Sequence, residues 1–350
     1  MILLTDEEKD SMSITRMIFH VVGKMLEEPI LLEEINPPEH TDFFLDRIKS
    51  VLTGNLFEFK TNSNVERLIR DIIADGGTFS ENTKSLTKDF QRLHIHKTMS
   101  MGAFFVFEIT IKNGNRIYAL IKYDNDDVVS YFLPENTSKP RLNLSHQNWV
   151  KKPEAMQKIA LVRLSEASGG KVVVRDRSKP TNISDYFQAF LDVRRINKPE
   201  EMSIKLVNAI KDTFKAHRSE LAQDIQKGGV NRIYEVLQQG GHQFNPDELE
   251  LLITAVFGPL SEASTVRKTF KSNLKIQGIS EETFQILPED VPKPTRRRMD
   301  TIEGISICYD EEYRNKITTQ PGHDGVTKIV ITTAGIKSDD IDTEKNPRSH

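Results

Sequence analysis

The sequence predicts an α+β fold: a mixed or antiparallel sheet built on hairpins in the N-terminal half, a helical C-terminal half, and a terminal β element. Three observations carry this expectation. Phe104–Ile111 and Arg116–Tyr123 read as apolar-rich strands flanking Asn113-Gly114, a dipeptide that tolerates the positive φ of a tight hairpin turn. Ile159–Leu164 and Lys171–Asp176 repeat the pattern around Ser168-Gly169-Gly170. From Ser184 the apolar spacing turns helical, and β-like runs return only near the end.

Taken in order, the chain opens with a strand from Ile14 to Val22, closed by Gly23. Asn36-Pro37-Pro38 breaks the chain, and Thr41-Asp42 then caps a helix running to about Leu52. A second amphipathic helix covers Val65–Ala74 and stops at Asp75-Gly76-Gly77. A third runs from Thr83 to about His94, with Leu86, Phe90 and Leu93 on one side. In the first hairpin a two-residue loop would set Ile109 opposite Tyr118 and Phe107 opposite Leu120. Both of its faces carry apolar residues, so both should be covered. Tyr186, Phe187, Phe190 and Leu191 mark a helix that breaks near Asn197-Lys198-Pro199. A long helix follows from Pro199 to about Gln226, ended by Gly228-Gly229. Shorter helices fit Asn231–Gln238, Pro246–Phe257 and Ser264–Ser272.

Val291-Pro292-Lys293-Pro294 cannot be helix interior and serves as a connector. Beyond it, Gly304–Asp310, Arg314–Thr318 and Val326–Thr332 are candidate strands that could return to the early sheet. Lys337–His350 has Ile341 as its one aliphatic residue and is expected to be disordered. The boundaries that result are 1–198 for an α+β domain, 199–290 for a helical domain, 291–336 for connector and β element, and 337–350 for the tail.

The composition, 37% hydrophobic and 28% charged over 350 residues, can bury a real core. Met1-Ile2-Leu3-Leu4 leads straight into an acidic stretch, so no secretory leader is expected. No apolar run approaches the ~20 residues a bilayer requires. A cytoplasmic location follows. The single cysteine, Cys308, lies in an apolar-rich run and reads as a small core residue.

Catalytic signatures are missing. His94-Ile95-His96 has no third ligand for a metal. Asp124, Asp126 and Asp127 lack calcium-loop spacing, and Ser168-Gly169-Gly170-Lys171 lacks the layout of a phosphate-binding loop. No catalytic, cofactor or metal residue is therefore assigned.

The net charge of −3 conceals segregation. Residues 1–80 hold fifteen acidic against eight basic side chains; residues 150–198 hold eleven basic against five acidic. In the second hairpin, Lys171 and Arg175 share parity, and a five- or seven-residue loop would place Arg163 beside them. Such a basic strip could follow phosphates. Arg177, Lys179, Arg194 and Arg195 extend it, and Arg296-Arg297-Arg298 forms a second basic point suited to bidentate phosphate contact.

Several segments together carry a resemblance. These are Ile18-Phe19-His20-Val21-Val22, Phe104-Phe105-Val106-Phe107, Lys158–Arg163, Asp176-Arg177-Ser178 and Ser184–Leu191. Gly304–Ile307 and Lys328–Ile331 join them. The chain resembles the bacterial nucleoid-associated protein family typified by YejK/NdpA over roughly residues 14–335. The resemblance implies association with the bacterial chromosome and no known enzymatic activity or cofactor. The expected function is a non-enzymatic, DNA-binding nucleoid protein. Its partners would be DNA, double-stranded and read without sequence preference, or proteins bound to DNA; a homo-oligomer is compatible. Two alternatives stay open. One is a nucleic-acid-directed component of an anti-phage defence system. The other is a metal-dependent nuclease in which Glu108, Asp124 and Asp176 converge on folding.

Overall fold

The structure, a computed structural model, describes residues 3–49, 52–93, 100–124, 155–239, 242–292, 294–322 and 325–339, and the backbone alone of 126–132 and 141–148. It forms two compact units, residues 1–291 and 292–350.

In the first unit a short helix α1 (Asp6–Asp10) precedes strand β1 (Ser13–Val22), helix α2 (Thr41–Lys49) and strand β2 (Asn55–Phe59). Helix α3 (Asn64–Ala74) starts where Ser63 Oγ accepts the Glu66 amide. Val65, Leu68, Ile69 and Ile72 recur at helical spacing and are buried. Helix α4 (Phe79–Leu93) begins four residues before the sequence suggests and buries Phe79, Leu86 and Phe90. Strands β3 (Gly102–Thr110) and β4 (Arg116–Asp124) are the predicted first hairpin. Strands β5 (Asp126–Phe132) and β6 (Arg141–Asn148) pair with each other. The second hairpin is β7 (Met156–Leu164) and β8 (Gly170–Asp176), followed by helix α5 (Asp185–Leu191) and strand β9 (Val193–Arg195).

Seven of these strands form one antiparallel sheet in the order β1-β3-β4-β7-β8-β2-β9. The fold is thus α+β, with the hairpins at its centre. The first hairpin differs from expectation by one residue. Its turn holds three residues, Lys112–Gly114, with Asn113 at φ 66° and Gly114 at φ 74°. The extra residue shifts the register, so Ile109 faces Ile117 and Phe107 faces Ala119. Phe105, Phe107, Ile109, Ala119 and Ile121 consequently pack on one face, with Phe44 and Ile48 of α2. Phe104, Val106, Tyr118 and Leu120 pack on the other, under α3, α4 and α5. Both faces are covered, as the sequence implies. At the end of α5, Asp192 takes the left-handed conformation (φ 50°) that usually selects glycine.

The helical portion starts at α6 (Pro199–His217), with proline in its first turn. The helix does not continue to Gln226. A 3₁₀ turn at Arg218–Glu220 and an extended Leu221 redirect the chain, burying Leu221 and Ile225. Helices α7 (Gln223–Gly228), α8 (Asn231–Leu237), α9 (Leu249–Phe257) and α10 (Thr265–Gln277) follow. They enclose a separate core with α6, including Phe214, Phe257 and Phe270. Between them β10 (Gln243–Phe244) pairs with β11 (Phe284–Gln285).

In the second unit β12 (Arg296–Asp300) pairs with β13 (Ser306–Asp310), and β14 (Ile317–Pro321) with β15 (Thr327–Ile331). These strands pair with one another and do not extend the seven-stranded sheet. Among the described residues of this unit, none is buried. Cys308 is exposed, contrary to its reading as a core residue. A two-stranded ladder covers one face at best, and Cys308 shares the uncovered face with its cross-strand neighbour Arg298. His94 and His96, and the tail from Asp340, lie outside the described residues.

Candidate nucleic-acid interface

The basic residues singled out in the sequence divide into two groups by what they touch. Arg163 and Lys171 are cross-strand neighbours, with Arg175 farther along the same face of the hairpin, so the five-residue loop does align them. That face is not open, however, because Leu161 and Val173 between them belong to the sheet core. Arg163 turns to the N-terminus, donating to the Leu3 carbonyl (2.9 Å) and holding Glu8 through both guanidinium nitrogens (3.0 and 2.9 Å). The Arg163 guanidinium holds the Glu8 carboxyl below its usual range, against a smaller opposing push from burial. Lys171 is half-buried and lies opposite Glu58 of β2.

Arg195 is likewise built into the fold, its side chain 11% exposed. It donates to the Thr181 carbonyl (2.7 Å), Asn55 Oδ1 (2.8 Å), Glu282 Oε2 (3.1 Å) and the Thr283 carbonyl (3.1 Å). Glu282 also accepts from Asn197 Nδ2 (2.8 Å) and the Leu56 amide (3.3 Å). Arg195 and Glu282 thus fasten the sheet to the helical core. Arg297 pairs with Glu311, and both are largely covered.

The second group stands in solvent. Arg194 pairs with Glu58 (2.7 Å) while remaining 69% exposed. Lys179 meets Asp185 (3.1 Å), and Arg175 meets Asp247 (2.9 Å) across to the helical portion. Arg296 lies 3.5 Å from Asp310, and Arg298 lies 3.0 Å from Asp300. Arg177 is exposed. Exposed pairs of this kind contribute about 0–1 kcal/mol each, so a phosphate can replace the carboxylate at little cost.

Arg177 and Lys179 are carried by a turn with an unusual anchor, just beyond Arg175 near the end of β8. Asp176 has the core-facing parity of Val172 and Val174, and its side chain is fully buried. It accepts from Lys158 Nζ, the Ser178 amide (2.9 Å) and hydroxyl (2.7 Å), and the Ser184 amide (2.8 Å) and hydroxyl (2.6 Å). Burial pushes its carboxyl up, but these donors prevail and hold it below the usual range. Lys158 also donates to Ser178 Oγ (2.6 Å) and sits 5.2 Å from the Tyr186 ring centroid. One carboxylate therefore ties together the start of β7, the turn after β8 and the start of α5. The sequence offered a clue in the parity of Asp176, but not its partners.

A cleft of about 380 Å³ opens beside this turn, between the sheet and the helical portion. Arg175 and Arg177 line one side. Gln243, Asn245 and Glu248 line another, with exposed Pro180 in the wall and the nearly buried Met156 and Ile159 beneath.

The three carboxylates considered for a nuclease do not share a site. Glu108 is opposite Tyr118, at the far end of β4 from Asp124. At about 3.3 Å per residue the two are roughly 20 Å apart. Glu108 accepts from Tyr118 Oη (2.9 Å) and Thr15 Oγ1 (3.2 Å). Asp124 accepts from the buried Lys122 (2.8 Å), and Asp176 is occupied as described. Among the described residues, no three His, Cys, Asp or Glu side chains are placed to hold a metal ion. Among them too, no helix is long and apolar enough to cross a membrane.

A search of curated proteins finds no match to this chain. The family model described as nucleoid-associated protein YejK matches residues 18–334. The chain therefore belongs to that family, and a nucleoid-associated role comes with it.

Proposed function

We propose that this member of the YejK family binds DNA directly, without catalysis, through phosphate contacts from its solvent-facing basic residues. The cytoplasmic nucleoid is where it acts. The observation that carries this reading is the exposed turn bearing Arg177 and Lys179, beside the partly exposed Arg175 and locked from beneath by Asp176. A rigid cationic turn loses little conformational freedom on meeting a phosphate backbone. Lys171 precedes it on β8 and Arg194 follows it on β9, and Arg296 and Arg298 supply contacts from the second unit. Arg163, Arg195 and Arg297 support the scaffold through their ion pairs. Phosphate contacts position a protein without reading sequence, so binding is sequence-tolerant on double-stranded DNA.

The test is a salt-titrated binding assay on duplex DNA, with and without Mg²⁺, scoring both retention and cleavage. Retention at ~50 mM salt should weaken with a slope of roughly −0.9 per phosphate contact in log K against log salt. No cleavage is expected in either condition. Absence of retention at low salt would remove direct binding and leave association through a DNA-bound protein; Mg²⁺-dependent cleavage would remove the non-catalytic reading.

A further inference from the structure

We propose that the cleft beside the basic turn binds a single unpaired nucleotide whose base carries an exocyclic amino group. The inference rests on the phosphate-binding reading of Arg175 and Arg177 and extends it to a site with its own chemistry.

Size sets the first limit. At about 380 Å³ the cleft falls within the ~300–1,000 Å³ range of small-molecule sites. A duplex, whose major groove alone is about 12 Å wide, cannot enter it. What fits is one nucleotide, either free or swung out of a strand.

The lining is arranged in three chemical zones. Arg175 and Arg177 supply the cationic end, where a phosphate would sit. Pro180, exposed in the cleft wall, offers an apolar ring surface suited to the flat body of a base, with Met156 and Ile159 almost wholly buried beneath the cleft. The side chains of Gln243 and Glu248 are exposed at the helical wall and offer acceptors there. A carboxylate accepts from the amino group of cytosine or adenine and repels the carbonyl that thymine presents instead. The ligand that matches all three zones is anionic at one end, flat in the middle and a hydrogen-bond donor at the other.

The walls are also fixed in place. Gly54 donates to the Glu281 carbonyl (2.9 Å), and the Thr283 amide donates to Asn55 Oδ1 (3.0 Å). With the Arg195–Glu282 pair, these bonds hold the sheet and helical portion at one separation around the cleft. A preformed site of this kind does not need to order itself on binding.

The experiment titrates the full chain by calorimetry with dAMP, dCMP, dTMP and unphosphorylated deoxyadenosine at low salt, with duplex retention measured on the same samples. Binding of dAMP or dCMP is expected, with dTMP and deoxyadenosine at least about tenfold weaker. Glu248→Ala should erase the preference over dTMP, and Arg177→Ala should weaken every monophosphate while leaving the preference intact. Both positions are exposed, so the variants should fold. Competition by a short single-stranded oligonucleotide separates the two sources: displacement of dAMP assigns the site to a strand's unpaired base, and persistence assigns it to free nucleotide. Duplex retention without binding of any monophosphate overturns this inference and leaves the DNA-binding reading standing. An unchanged base preference in Glu248→Ala also overturns it. Loss of duplex retention with monophosphate binding intact would instead strike the DNA-binding reading.

Discussion

The two basic regions of this protein are built on opposite principles. The turn with Arg177 and Lys179, next to Arg175 on β8, hangs from a carboxylate that is fully buried and receives donors from three segments. The Arg296–Arg298 segment lies in a two-stranded ladder, where Arg296 and Arg298 keep exposed cross-strand or near-neighbour partners. Isolated two-stranded ladders are marginal in water, whereas a buried, fully satisfied polar network specifies one geometry. The difference teaches that the same residue type can be fixed from beneath in one place and stand on an open ladder in another. What the cations stand on separates the two cases.

The largest test of that contrast is Asp176→Ala. It leaves the Lys158 ammonium buried without its partner, and a loss of about 3–5 kcal/mol in unfolding free energy is expected by denaturant titration. Replacing both members, Lys158→Met with Asp176→Leu, should recover only the part due to the stranded ammonium, because the Ser178 and Ser184 donors stay unmatched and the turn loosens. Equal stability of the single variant and the parent would break the contrast.

A second buried group sharpens it through pH. His20 is fully buried, accepting the Leu32 amide at Nδ1 (3.0 Å), which leaves Nε2 protonated toward Thr83 Oγ1 (3.4 Å). Burial first, and then the nearby Lys84 charge, lower its pKa to about 4. Between about 6.5, the unfolded value, and about 4, the unfolded chain holds a proton that the folded chain rejects. Stability is therefore full above pH 6.5, falls as pH drops through that window, and levels off below it. At 1.36 kcal/mol per unit the loss approaches about 3 kcal/mol. Denaturant midpoints from pH 7.5 to 4 should show the decline, and His20→Gln should flatten it.

The smallest effect belongs to the second unit. Arg298→Ala removes a pair whose members are 60% and 54% exposed, so little or no change in stability is expected. A larger change would show that the ladder's surface charges hold structure after all.

The sequence made the sheet's centre legible because hairpin turns and strand parity are local signals. Strands β2 and β9 escaped, being five and three residues long and placed by pairing with distant β8 and with each other. The break after His217 is equally invisible locally, since residues 218–226 suit a helix and only the burial of Leu221 and Ile225 redirects them. Cys308 misled because an apolar run marks a core only when something covers it. At the candidate site the cations could be read directly, but their partners could not. Arg163 finds Glu8 across 155 positions, and Arg195 finds Glu282 across 87. Charge counting sees an excess of eleven basic over five acidic residues; folding decides which of them remain available.

The most direct measurement is the salt dependence of duplex binding for Arg177→Ala/Lys179→Ala beside the parent. If the turn contacts phosphates, affinity should fall alike for unrelated sequences, and the slope of log K against log salt should shrink by roughly 0.9 per contact removed. A normally folded double variant with the parent's affinity and slope would show that the turn does not touch DNA.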